Sequence, residues 1–167
     1  MVRPLIIDIE ASGFGVGSYP IEVGVALGNG ETRCMIIRRE SDWVHWDDGA
    51  ESLHGISRDD LNRHGKMVEE VATALNKWLQ GQVVYSDAWG NDSSWLALLF
   101  EYANVTQRFK LDSLRSLLDE SQVENWHKTK EQVAEASKFQ RHRASNDALI
   151  LQQTYCKTAE KSVISVE

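Results

Sequence analysis

Residues 4–9 are almost wholly apolar and rich in β-branched side chains, which predicts a buried strand closed by Glu10 and the glycine-rich residues 11–18. Ile21, Val23 and Val25 then alternate with Glu22, Gly24 and Ala26. Gly28-Asn29-Gly30 supplies turn chemistry, and residues 32–37 read as a third strand, so the short connections predict an antiparallel meander. Ser57 is a plausible N-cap, and Val68, Val71, Ala72, Leu75, Trp78 and Leu79 recur at helical spacing up to Gly81. Residues 82–86 form a short strand that can return parallel to the first by a right-handed crossover.

Trp95, Leu98, Leu99 and Tyr102 predict a helix beginning near Asp92. Residues 109–111 follow as a fifth strand, and Leu114, Leu117 and Leu118 as another helix. Residues 122–138 are polar with few apolar anchors and read as a mobile helical arm. Residues 144–157 carry Ala148, Leu149, Leu151 and Tyr155 as a closing helix. Three antiparallel strands followed by alternating helix and strand define a mixed α/β layer structure.

The length, 167 residues, suits one domain over 1–167, and 42% hydrophobic with 26% charged residues suits a soluble globule with one core. No run reaches the roughly 20 apolar residues of a membrane helix, and Asp8 comes too early for a signal peptide, so the expected location is cytoplasmic. Cys34 and Cys156 stand far apart without a C-x-x-C, which fits a reducing compartment. Lys and Arg number 18 against 25 Asp and Glu, and the net charge of −7 argues against a broad grip on duplex DNA. A local nucleic-acid site stays open, because Lys138, Arg141, His142 and Arg143 form a basic cluster, as do Arg38 and Arg39. Either cluster could equally be a solvated face.

In Asp8-Ile9-Glu10 both carboxylates project from one strand face at the end of an apolar segment. Such a pair repels and loses hydration unless a hard cation such as Mg²⁺ offsets the charge; an exposed strand end with ordinary acids is the alternative. His142 precedes the last helix and Asp147 falls near its first turn, where the helix dipole alone would favour an acid. As a pair, Asp147 can hold a metal while His142 reaches a water on it, and imidazole titrates where a general base must. Asp87 and Asp92 follow a strand; one offers a third metal-facing acid, with turn formation and N-capping as their structural alternatives. Gly13-x-Gly15-x-Gly17 lacks the spacing and following helix of a dinucleotide fingerprint.

Taken together these segments resemble the DEDD superfamily of 3′–5′ exonucleases, in the branch with a histidine in its third motif, which includes proofreading subunits, oligoribonuclease and RNase T. Asp8-x-Glu10 with Gly13 looks like the first motif, Asp92 fits the second, and His142 with Asp147 matches the H-x₄-D third motif. Leu53-His54-Gly55-Ile56-Ser57, Pro20-Ile21-Glu22-Val23-Gly24-Val25 and Leu111-Asp112-Ser113-Leu114 are similar to three further family segments, in the family's order. The resemblance implies a ribonuclease H-like fold, a five-stranded mixed sheet with the second strand antiparallel and helices on both faces.

It also implies a metal-dependent exonuclease that hydrolyses single-stranded or short RNA or DNA to nucleoside monophosphates by a two-metal mechanism using Mg²⁺ or Mn²⁺. Asp8, Glu10, Asp92 and Asp147 would hold the two ions, with His142 as the base. Ser12, Gly13, Phe14, His54, Asp87 and Trp89 would contact substrate. Phe14 stands where the family often has a wedging leucine, and an aromatic would stack on the terminal base. Ala11 replaces a family hydroxyl, and Asp87 an asparagine. Trp43, Trp46 and Trp89 either line a base-stacking groove or fill the core. A non-catalytic nucleic-acid-binding or interaction module on the same fold is the alternative class. Some relatives are dimers, and the sequence leaves a homodimer open.

Overall fold

The computed structural model describes residues 2–137 and 140–164. Its sheet is built from β1 (Leu5–Ala11), β2 (Pro20–Ala26), β3 (Thr32–Ile36), β4 (Val83–Ser86) and β5 (Lys110–Ser113), in the order β3-β2-β1-β4-β5. β2 is antiparallel to both β1 and β3, whereas β4 runs parallel to β1 and β5 parallel to β4. The helices are α1 (Asp48–His54), α2 (Arg58–His64), α3 (Val68–Leu79), α4 (Trp89–Ala103), α5 (Glu120–Ser137) and α6 (Ala144–Ile164). This is the ribonuclease H-like mixed sheet expected from the sequence.

β1 is central because its two faces serve different purposes. Ile7, Ile9 and Ala11 join the core that includes Val71, Leu75, Leu96 and Leu99 of α3 and α4. Ile6 points to the other face, into a smaller core with Trp126 of α5 and Ala148 and Leu151 of α6. Strand alternation puts Asp8 and Glu10 on the Ile6 face, further toward the strand's C-terminal end. A register irregularity between Glu10 and Ala11 ends the regular pairing there.

α6 lies directly against β2. A Cβ on Gly24 would fall 2.1 Å from the Ser145 backbone nitrogen, so only glycine allows the first turn of α6 to approach so closely. That approach brings residues 142–147 to the β1–β2 pair.

Several elements differ from the sequence expectation. α4 begins at Trp89, so Asp92 lies inside its first turn and is 1% exposed, too deep for a solvent-facing N-cap. The Leu114–Leu117 segment closes into a single 3₁₀ turn. Residues 122–137 form no loose arm, because Gln122, Trp126, Thr129 and Val133 recur on one face of α5 and bury it against α6. Lys138, at that segment's end and in the basic cluster, lies outside the described residues. α1 was not foreseen; its signal is Asp47, whose side chain accepts from the Gly49 and Ala50 nitrogens as an N-cap. No helix among the described residues is long and apolar enough to cross a membrane.

Candidate active site

The carboxylates singled out in the sequence act on one another across the fold. Burial pushes the Asp8 carboxyl well above its ordinary range, and Asp92, Glu10, Asp147 and Asp87 raise it further by repulsion. Glu10 is pushed up to about 7 by burial and by Asp147, Glu22 and Asp92, with Arg143 pulling in the opposite direction. Asp92 is raised to about 7, chiefly by burial, although it accepts a hydrogen bond from the Ser86 hydroxyl. Glu10, His142 and Asp147 each present a ligand atom, and the three atoms lie within 4.8 Å of one another. Strand β1, the first turn of α4 and the start of α6 thus deliver Asp8, Glu10, Asp92, His142 and Asp147 to one place.

The segment carrying His142 is held in an uncommon shape. His142 has φ 59°, a left-handed conformation that costs a non-glycine residue roughly 1–2 kcal/mol. Its backbone N–H donates to Asp147 Oδ2 at 3.0 Å, and Arg141 Nε donates to Asp147 Oδ1 at 3.0 Å. On the far side, Arg143 Nε donates to both carboxylate oxygens of Glu22, at 3.1 and 3.2 Å. The Ala144 N–H and the Cys34 thiol donate to the same carboxylate, which is fully buried. Burial alone would raise the pKa of Glu22, but these hydrogen bonds prevail and hold it below the usual value.

The expected substrate contacts divide into two groups. Ser12 and His54 are 1% and 2% exposed. Ser12 Oγ lies 3.0 Å from His45 Nδ1 and accepts from the Tyr19 N–H, while His54 Nδ1 accepts from the Ile56 N–H. Ser12 thereby ties the β1–β2 loop to the residues before α1, whereas the Nε2 of His54 is buried with no hydrogen-bond partner among the described residues. Gly13, at φ 142°, packs so tightly that a Cβ would meet Asp47 at 2.7 Å and His45 at 2.8 Å. Phe14 is 72% exposed, with its ring 6.0 Å from that of Trp95. Trp89 is 47% exposed at the start of α4, and Asp87 pairs with Lys130 of α5 at 2.9 Å.

Of the other tryptophans, Trp43 stacks on Tyr19 in the core, and Trp46 donates to Glu51 beneath Arg58. Two residues next to the site, Glu22 and Lys130, were not singled out by sequence reasoning, and Arg143 was read only as one member of a basic cluster. Glu22 carried a signal, being an acid on a strand whose every other position reads as core.

The sheet order, with its antiparallel second strand and helices on both faces, is a ribonuclease H-like fold. Among solved structures it is similar to Escherichia coli exonuclease I in complex with a dT13 oligonucleotide, with a TM-score of 0.70 and 14% identity over 99% of this chain and 43% of that one. The zinc-ion-bound exonuclease I–ssDNA complex from E. coli gives 0.68 and 13% over 99% and 42%. The E. coli enzyme with a dA16 oligonucleotide gives 0.69 and 12% over 96% and 41%. The chain therefore spans about two-fifths of the length of these proteins. No family model matches the sequence, and no curated protein matches it.

Proposed function

We propose that this protein is a metal-dependent 3′–5′ exonuclease of the histidine-bearing DEDD branch, acting on single-stranded or short nucleic acid. The observation that carries the reading is the meeting of Asp8, Glu10, Asp92 and Asp147 beside His142, with the pKa values of Asp8, Glu10 and Asp92 raised by burial and mutual repulsion. Such a set is costly to ionise unless divalent cations sit among the oxygens, and carboxylate oxygens are the donors that Mg²⁺ and Mn²⁺ prefer. The residues thus fit a pair of these ions.

Asp8, Glu10, Asp92 and Asp147 would hold the metals, which would supply positive charge for the phosphodiester and for the departing 3′ oxygen. His142 takes the proton from the attacking water. The left-handed backbone at His142 and the hydrogen bond from its N–H to Asp147 hold the main chain that carries the imidazole close to Glu10 and Asp147. Phe14, exposed beside Trp95, offers a face on which the terminal base stacks. The oligonucleotides in the exonuclease I complexes agree with a single-stranded substrate.

The test is a time course on end-labelled RNA and DNA oligomers, with and without Mn²⁺. Metal-dependent release of mononucleotides from the 3′ end is expected. Absence of cleavage on both substrates, or internal fragments and cutting of circles, would overturn the assignment.

A further inference from the structure

A cavity lies near the acidic centre, linked to it through Asp87. It has a volume of about 330 Å³ and opens between the 3₁₀ turn and α5. Its floor is apolar, formed by Leu114, Leu118 and the largely buried Trp126. Around it stand Arg115, His127 and Lys130, the first two exposed. The wall shared with the acidic centre is Asp87, which bonds Lys130 at 2.9 Å in the cavity and adds to the negative potential on Asp8.

We propose that this cavity is a subsite for one nucleotide of a single strand, the one preceding the terminal nucleotide held at the acidic centre; the proposal rests on the nuclease reading above. The volume lies at the small end of the range for ligand pockets and suits one planar base with its sugar. An apolar floor with basic residues at the rim matches the two halves of a nucleotide, since the base seeks desolvation and the phosphate seeks cations. The placement is informative on a chain of net charge −7, where most of the surface repels a polyanion. Asp87 holds Lys130 when no strand is present, and the incoming phosphate takes its place.

Fluorescence anisotropy with labelled dT strands of one to six nucleotides, joined by hydrolysis-resistant phosphorothioate linkages and titrated in Mg²⁺, tests this. Arg115→Ala and Lys130→Ala should each weaken strands of two or more nucleotides roughly three- to tenfold and weaken dTMP less. Each should also lower the slope of log affinity against log salt by about 0.7, the loss of one single-strand phosphate contact. Arg115→Glu, on an exposed position that leaves the core intact, should weaken strands more than Arg115→Ala. Strand binding by the wild type with affinity and slope unchanged in all three variants overturns the subsite alone. Equal losses on dTMP and on strands also overturn it, by showing a free-mononucleotide site. Failure of the wild type to bind any strand removes the nuclease reading and the subsite with it.

Discussion

Arg143 grips Glu22 through Nε with two hydrogen bonds, and this contact ties the start of α6 to the strand paired with β1. Glu22 stands opposite Glu10 in the β1–β2 register, so the guanidinium also neutralises a buried charge beside the acidic centre. Arg143→Ala should cost roughly 3 kcal/mol, the low end for breaking a buried pair, since about a third of the Arg143 side chain remains in solvent. Urea denaturation should show a lower midpoint at an unchanged slope. Adding Glu22→Gln to that variant should recover part of the loss, because the uncompensated charge goes with it. No recovery would mean that Arg143 acts through packing alone.

How much of this was legible in the sequence follows from which interactions are local. The alternation of Ile21, Val23 and Val25 and the helical spacing from Val68 to Leu79 are set by burial on one face, so β2 and α3 could be read directly. The five acidic-centre residues could be picked out as candidates because their cues are local: alternate positions of β1, the first turn of α4, and the five-residue spacing from His142 to Asp147 at the start of α6. Other features depend on partners distant in the chain. Ser12 reads as a free loop hydroxyl until His45 is seen against it, and Asp87 as a turn former until Lys130 arrives from α5. The helical stretch after residue 120 looked mobile because its apolar residues are few; Trp126 and Val133 suffice because polar Gln122 and Thr129 are buried with them.

His142 separates backbone from side-chain effects. At φ 59° an alanine keeps the left-handed cost, whereas glycine removes it. His142→Gly should therefore be about 1 kcal/mol more stable than His142→Ala in thermal or urea unfolding. Both should lose turnover by roughly 10²–10⁴ as the proton acceptor disappears. Equal stability would show that the segment relaxes to an ordinary conformation once the imidazole is gone.

Phe14 is exposed, so its removal should leave folding almost untouched, within about 0.5 kcal/mol. Substrate is another matter, because stacking of one base on an aromatic ring contributes about 1–3 kcal/mol. Phe14→Ala should raise KM for oligonucleotides, and Phe14→Trp should restore it. Leucine should give an intermediate value. A KM unmoved by all three substitutions would mean that the terminal base does not reach this ring.

The acidic centre should link pH, metal and stability with a definite sign. Glu10 and Asp92 have ordinary values of 4.5 and 3.8 and rise to about 7 in the folded chain, with Asp8 raised as well. Between those limits the folded state binds more protons than the unfolded state, so the metal-free protein should lose stability as pH climbs from about 4 to about 7. Mg²⁺ at 100 times its dissociation constant should add about 2.7 kcal/mol at pH 8, or roughly 5–10 °C in Tm for a chain of this size. At pH 5 protons hold the same oxygens, and the gain should shrink. Asp92→Asn should raise the metal-free Tm at pH 8, by removing one repelling charge, and reduce the Mg²⁺ increment. An increment equal at both pH values, or unaffected by Asp92→Asn, would mean that the cation stabilises the chain at some other place.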